Sequence, residues 1–388
     1  MNNFMFENST KVRFGKGAVN EYLAESVSHF GEHIMLAYGN GSIKKTGIYD
    51  AVKNILIQAG KSVVDFSGIS PNPTYQKVLE GVDFVEKNKI DLILAVGGGS
   101  VIDCAKAISL AARCKGNAWE NFWEKPGVVD FEPIPVGAIV TVTGTGSEMN
   151  GGAVITNESK GIKTGRDYPK CNPVFALLDP TYTFTVSPLQ TSSGGFDILS
   201  HIMETYFSNP DESNVSDDIS EALMKNVIEN LPIAVENPTD YTARSNLMWA
   251  STMAENRIIK LGKRCDFEAH QIEHQLGAFT NCNHGQGLAV IHPVYYRHIY
   301  QYGLNKFVRF AKNVWSIPGD GKTDDELAQA GIQALSDFIK SIKLPTTLRE
   351  LGIKQEELEP IAYSCNLSNG SYKPMTHEEI LQILNECF

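Results

Sequence analysis

The sequence predicts an α/β half carrying a Rossmann-like parallel sheet, residues 1–186, followed by an all-α half, residues 187–388. Three observations carry this reading. Short apolar runs alternate with stretches of helical periodicity as far as residue 178, the pattern of a doubly wound sheet. Two of those runs end in glycine-rich turns, Gly97-Gly98-Gly99-Ser100 and Gly144-Thr145-Gly146-Ser147. From about Ser187 the apolar period becomes 3.6 nearly throughout.

Taken in order, residues 11–14 read as a short strand ended by Gly15, and residues 18–30 as an amphipathic helix with Tyr22, Leu23 and Val27 inward. Residues 34–38 form a buried strand that runs into Gly39-Asn40-Gly41-Ser42, before a helix over 47–59. A third strand, 62–66, leads through Pro71-Asn72-Pro73 to a helix capped by Thr74. Residues 91–96 are a strand of parallel-sheet type, followed by the glycine run and a helix over 101–112. The stretch 115–132 reads as irregular, 134–140 as a strand, and 175–178 as the last strand of this half. Helices are expected over 217–235, 241–259, 324–342 and 378–387, the last with Thr376 and Glu379 as a capping box.

With 388 residues, the chain is long enough for two domains with separate cores. A net charge of -11 and a pI near 5.4 exclude nucleic acid and anionic membrane as partners, because neither is gripped without a basic face. No apolar run approaches a membrane span, and the start lacks the charged and apolar regions of a secretion signal, so a cytoplasmic protein is expected. Seven cysteines, an odd number without a Cys-x-x-Cys pair, read as reduced thiols.

The helical half holds a concentration of metal donors. His270 and His274 stand one helical turn apart, with His284 close behind, and Asp197 and His201 repeat the four-residue step upstream. Either pair alone reads first as a hydrogen-bonded core histidine or a solvated helix contact. Together, among Phe196, Leu199, Ile202, Phe267, Ile272 and Leu276, they read as buried donors that need partners or a divalent metal. Cys265 and Cys282 flank the histidine helix, but the imidazoles and Asp197 suffice without them.

The glycines after the 91–96 strand let the backbone approach a ligand, and the following helix N-terminus adds partial positive charge, a construction that holds a diphosphate. The spacing is not G-x-G-x-x-G. A second glycine-rich turn at the same sheet edge favours a dinucleotide, because ligands of open α/β sheets bind at the carboxyl ends of the strands.

The residues around Gly97, Gly98, Gly99, Ser100 and Asp103, together with Gly146-Ser147-Glu148-Met149-Asn150, Leu178-Asp179-Pro180, Asp197 with His201, and His270, His274 and His284-Gly-Gln, resemble the iron-containing (group III) alcohol dehydrogenase family over essentially the whole chain. Within it they are most similar to the butanol dehydrogenase and broad-range NADPH-dependent aldehyde reductase branch. The resemblance implies an N-terminal nucleotide-binding domain and a C-terminal metal-binding domain. It maps the metal ligands onto Asp197, His201, His270 and His284, and His274 onto a non-ligand histidine near the nicotinamide. Gly97, Gly98, Gly99 and Ser100 match the diphosphate loop, and Thr141, Ser147, Lys163 and Tyr182 fall where the family contacts the cofactor. The chain departs from commoner members at Gly144 and at Gly151-Gly152, which bears on the substrate pocket.

The expected reaction is hydride transfer between NAD(P)H and a small aliphatic aldehyde or primary alcohol, with His274 relaying the proton. Three imidazoles and a carboxylate suit Fe(II), Zn(II) or Co(II), and the resemblance favours iron. Where the family places an acid against the adenine ribose this chain has Gly39, followed by Gly41, Ser42, Lys44 and Lys45, so NADPH is expected over NADH. An alternative is a non-redox metal- and NAD-dependent enzyme resembling dehydroquinate synthase, which would need several Lys and Arg near ligands whose neighbours here are mainly apolar. A homodimer is expected, with the strand near Lys11 as an edge able to pair.

Overall fold

A computed structural model describes residues 1–388, which divide into two compact units, Glu7–Val186 and Ser187–Phe388 with Met1–Phe6. The first six residues pack with the helical unit, where the Asn2 amide donates to Gly262 O at 3.0 Å and the Met1 ammonium pairs with Glu212.

In the α/β unit the strands are β1 (Lys11–Phe14), β2 (His33–Tyr38), β3 (Ser62–Phe66), β4 (Leu92–Gly97), β5 (Val136–Val140), β6 (Gly152–Asn157), β7 (Ile162–Asp167) and β8 (Phe175–Leu178). Six form one parallel sheet in the order β1-β8-β5-β4-β2-β3, as expected for a doubly wound fold. The interior strands are apolar and inaccessible along their length (Leu36 and Ala37, Leu94 and Ala95, Ala138 and Ile139), because helices cover both faces of such a sheet. The helices are α1 (Ala18–Val27), α2 (Ser42–Lys45), α3 (Ile48–Gln58), α4 (Tyr75–Asn88) and α5 (Gly99–Ala111). Thr74 caps α4 by accepting from the Lys77 amide at 3.2 Å.

The structure departs from the sequence reading in several places. Helix α5 starts at Gly99 rather than Val101, so the last glycine of the run is already helical. Helix α1 stops at Val27, where the Ser28 amide turns back to Glu25 O. The stretch expected to be irregular contains a π-helical turn, Trp119–Glu124, whose Trp123 Nε1 donates to Ala153 O at 3.1 Å. An unexpected antiparallel hairpin, β6–β7, follows Asn150. Its second strand, Ile-Lys-Thr-Gly-Arg-Asp, is too polar to read as a strand.

The helical unit contains α6 (Pro188–Tyr206), α7 (Val215–Glu236), α8 (Tyr241–Glu255), α9 (Glu268–Thr280), α10 (His284–Ile299), α11 (Leu304–Asn313), α12 (Asp324–Ser341), α13 (Leu358–Ser364) and α14 (His377–Cys387). The capping box at Thr376 and Glu379 is present. Helix α8 ends four residues before the expected end, because Arg257 adopts φ 75. Every residue of α6 from Thr191 to Tyr206 is buried, with α7, α8 and α10 packed around it. A helix wrapped on all sides has to find partners for its polar groups inside the protein. No helix is long and apolar enough to cross a membrane.

Candidate metal centre and cofactor loops

Helix α6 presents Asp197 and His201 one turn apart, α9 presents His270, and α10 begins with His284. Around Asp197 Oδ1 lie His201 Nδ1 at 3.7 Å, His270 Nε2 at 3.7 Å and His284 Nε2 at 3.5 Å. These separations are too long for hydrogen bonds. Distances of this size to Asp197 Oδ1 match donors that share an ion, since tetrahedral ligands about 2.1 Å from a cation stand about 3.4 Å from one another. Asp197, His201 and His270 form one group of mutually close donors, while His284 groups with Glu273 and His274. Asp197 Oδ1, His201 Nδ1 and His270 Nε2 are buried without a hydrogen-bond partner, a cost that a shared cation removes. The donor set therefore fits a divalent metal.

Two further carboxylates, which sequence reasoning missed, support these imidazoles. His270 Nδ1 donates to Glu204 Oε2, and His284 Nδ1 donates to Glu273 Oε2. Both glutamates are inaccessible, and Glu204 also accepts from the Ala269 amide at 2.8 Å. Each bond fixes its imidazole as the tautomer whose Nε2 faces Asp197, and makes that nitrogen a better donor. The signal was present as spacing: Glu204 is seven residues from Asp197 and three from His201 on a helix without a polar face.

The charges agree with this geometry. Burial alone would raise the Asp197 carboxyl, but the imidazoles of His201, His284 and His270 pull it well below its ordinary range. Burial would lower His270, yet Glu204 and Asp197 push it up to about 10. The cluster thus demands a cation, whether a proton or a metal. His274 is buried and stands beside this set, its ring 6.1 Å from that of His270 and 5.8 Å from that of His284, but outside the atoms that converge on Asp197. Cys265 and Cys282 join no donor group.

In the α/β unit the expected cofactor residues gather at the carboxyl edge of the sheet. Gly97, Gly98, Gly99 and Ser100 follow β4, Thr141 and Ser147 follow β5, Gly39, Gly41 and Ser42 follow β2, and Tyr182 follows β8. A Cβ on Gly99 would fall 2.2 Å from Thr145 Oγ1, so the two glycine-rich turns can pack together only without a side chain there. The Thr141 amide donates to Gly97 O at 3.0 Å. Asp103 uses both carboxylate oxygens within the protein, accepting from Ser147 Oγ and from the Val154 amide. Lys106, which closes the motif that starts at Gly97, is buried and donates to Ser147 O at 2.9 Å and to Asn150 O at 3.2 Å, bracing the turn after β5. Lys163 lies buried in the β6–β7 hairpin, and burial pushes the half-buried Tyr182 hydroxyl up to about 12. Lys44 lies over the rings of Tyr38 and Tyr49, 5.1 and 4.6 Å from their centroids.

The entry to α9 gives a pH-dependent expectation. Burial, reinforced by the charge of Glu204, raises the Asp266 carboxyl from an ordinary value of 3.8 to about 7. Between those values the folded chain holds a proton that the unfolded chain releases, so this contribution to stability is lost as pH rises. Asp266→Asn removes the titration, and its midpoint relative to the unchanged protein should rise steadily from pH 4 to 7. A pH-independent difference between the two proteins would exclude this assignment.

Comparison with known proteins adds to this geometry. Residues 9–180 match the family model described as iron-containing alcohol dehydrogenase, and residues 191–388 match the Fe-containing alcohol dehydrogenase family, C-terminal. The chain is 37% identical to NADH-dependent butanol dehydrogenase A of Clostridium acetobutylicum, covering 100% of both chains. It is also 37% identical to NADPH-dependent aldehyde reductase YqhD of Escherichia coli, over 91% of this chain and 90% of that one. The crystal structure of an NADH-dependent butanol dehydrogenase A from Thermotoga maritima superposes with a TM-score of 0.94 at 35% identity, covering 100% of this chain and 99% of the other.

Proposed function

The chain belongs to the iron-containing alcohol dehydrogenase family, and from that premise we propose that Asp197, His201, His270 and His284 hold the metal of an NAD(P)-dependent oxidoreductase acting on small aliphatic aldehydes and primary alcohols. The observation that carries the reading is the ring of three imidazole nitrogens 3.5 to 3.7 Å from one buried carboxylate oxygen. When bound, a divalent ion supplies a Lewis acid for the substrate oxygen, and the nicotinamide gives or takes the hydride. Iron is the metal the family favours.

The chain's own residues do the rest. Glu204 and Glu273 fix the tautomers of His270 and His284. His274, one turn along α9 from His270, serves as the group that holds the proton exchanged with the substrate oxygen. The amides of Gly98, Gly99 and Ser100, at the start of α5, bind the diphosphate, while Asp103 and Lys106 hold the neighbouring turn in place.

NADPH is the preferred cofactor in this reading. The uncharged turn of Gly39, Gly41 and Ser42, with Lys44 beside it, supports acceptance of a 2′-phosphate that an acidic side chain would repel. Seven free cysteines support a reducing, cytoplasmic setting. A homodimer is supported by β1, which pairs on one side with β8 and carries the 40% exposed Phe14.

Metal-reconstituted protein assayed with C2 to C6 aldehydes and alcohols and both cofactors tests the whole reading. Nicotinamide oxidation with butanal is expected, with a lower KM for NADPH than for NADH. Gly39→Asp, whose Cβ would sit 3.1 Å from Ile69 O, should raise the NADPH KM about tenfold or more while leaving that for NADH near its starting value. A clear NADH preference in the unchanged protein would end the cofactor assignment, and no turnover with any pair would end the functional one.

A further inference from the structure

The entry to α9 contains an aromatic residue in a backbone conformation it should avoid. Phe267 is the N-cap of α9 with φ 55 and ψ 24, and its side chain makes no capping hydrogen bond. Among the seven non-glycine residues with positive φ, the other six are Asn72, Lys89, Arg257, Asn281, Ser316 and Lys343, all polar. A bulky apolar side chain there is strained, whereas glycine or asparagine would sit at little cost. Starting the helix therefore does not explain the choice of phenylalanine.

The strain is held from both flanks. The Asp266 amide donates to Ser208 Oγ at 2.8 Å, and Ser368 Oγ donates to Asp266 O. On the far side, the Ser368 amide donates to Glu268 Oε2 at 2.6 Å. Strain kept in this way clusters where a side chain has to be delivered to one place. The ring is delivered to two of the metal donors: its centroid lies 5.2 Å from that of His270 and 6.2 Å from that of His201, and those two imidazoles stack at 4.6 Å. Lys260 Nζ sits 4.6 Å over the phenyl ring and pairs with Glu255 at 2.7 Å. Phe267 is only half-buried, so it does not behave as a residue retained simply to fill the core.

We propose that Phe267 is a positioning residue for the metal cluster: its ring, delivered by a strained backbone, fixes the planes of His201 and His270, so that retention of the ion depends on the ring and not on the stability of the fold. This rests on the metal reading given above. His201 has no carboxylate of the kind that Glu204 and Glu273 provide for the other two imidazoles, and the phenyl ring supplies the missing restraint by packing.

The test compares Phe267→Trp, Phe267→Ala and Phe267→Gly with the unchanged protein. Each is loaded with Zn(II) and challenged with excess EDTA, and the thermal midpoint of each metal-free form is measured separately. The tryptophan variant should lose zinc within about threefold of the parent rate, and the alanine and glycine variants on the order of tenfold faster. The glycine variant should melt about 2 °C above the alanine variant, the reverse of their usual order, because only glycine relieves the left-handed strain. Zinc loss that follows the midpoints, zinc loss unchanged in the alanine and glycine variants, or a glycine variant melting below alanine overturns the proposal. Unchanged protein that takes up no zinc overturns the metal reading first, and this inference with it.

Discussion

Replacing His270 by alanine should lower kcat/KM for butanal at least about a thousandfold and leave protein that cannot retain a stoichiometric ion. The substitution removes one of the three nitrogens around Asp197 Oδ1. It also takes away the imidazole on Glu204, a carboxylate with no solvent exposure. In the metal-free protein Glu204 and Asp197 then lose the group between them, which their charges had pushed up to about 10 and kept as a cation. Leaving a buried acceptor unpaired costs about 1–3 kcal/mol, so the metal-free midpoint should fall as well. Asp197→Asn, nearly the same shape, is the companion variant: activity and ion retention should be lost as in His270→Ala. Metal analysis, steady-state kinetics and thermal unfolding read these effects. Turnover within tenfold of the parent in both variants would remove the proposed electrophile from the reaction.

Gly285→Ala should also be damaging, although it adds one methyl group and removes no donor. Helix α10 begins at His284, and a Cβ on Gly285 would fall 2.1 Å from Ser193 O and 2.7 Å from its carbonyl carbon. Those atoms belong to the backbone of α6 and cannot swing aside as a side-chain tip would. Relief requires the start of α10 to retreat from α6, carrying His284 Nε2 away from its position 3.5 Å from Asp197 Oδ1. A misplacement of about 1 Å in such a site costs on the order of a hundredfold in rate. The expected result is a drop of that size in kcat/KM with faster ion loss to a chelator. Activity within threefold of the parent would mean that the α6–α10 contact does not set the position of His284.

Much of the fold was legible because burial writes itself into the sequence as period. The interior strands of the sheet are continuous apolar runs, and the capping box at Thr376 and Glu379 is a local signature. The donor residues were legible for the same reason, since a four-residue step on a helix has one geometric meaning. Glu204 and Glu273 were not, because a charged residue at helical spacing reads as a solvent-facing position unless the packing of other helices is known. The β6–β7 hairpin was missed because its polar second strand lacks alternation. The conformation of Phe267 depends on bonds to Ser208 and Ser368, distant in the chain, and no local pattern encodes it.

The complete enclosure of α6 between Thr191 and Tyr206 restricts where this catalyst can be re-engineered. Every position along that rod is already spoken for by neighbours, so directed-evolution libraries placed on it will return mostly collapsed variants. Substitutions are better placed on the β6–β7 hairpin, at Gly152, where an added side chain meets the side chain of Asn150 rather than backbone. Gly152 is more permissive than Gly151: an added methyl group there meets Asn150 Oδ1 at 3.1 Å, whereas at Gly151 it would collide with the Tyr168 carbonyl at 1.8 Å.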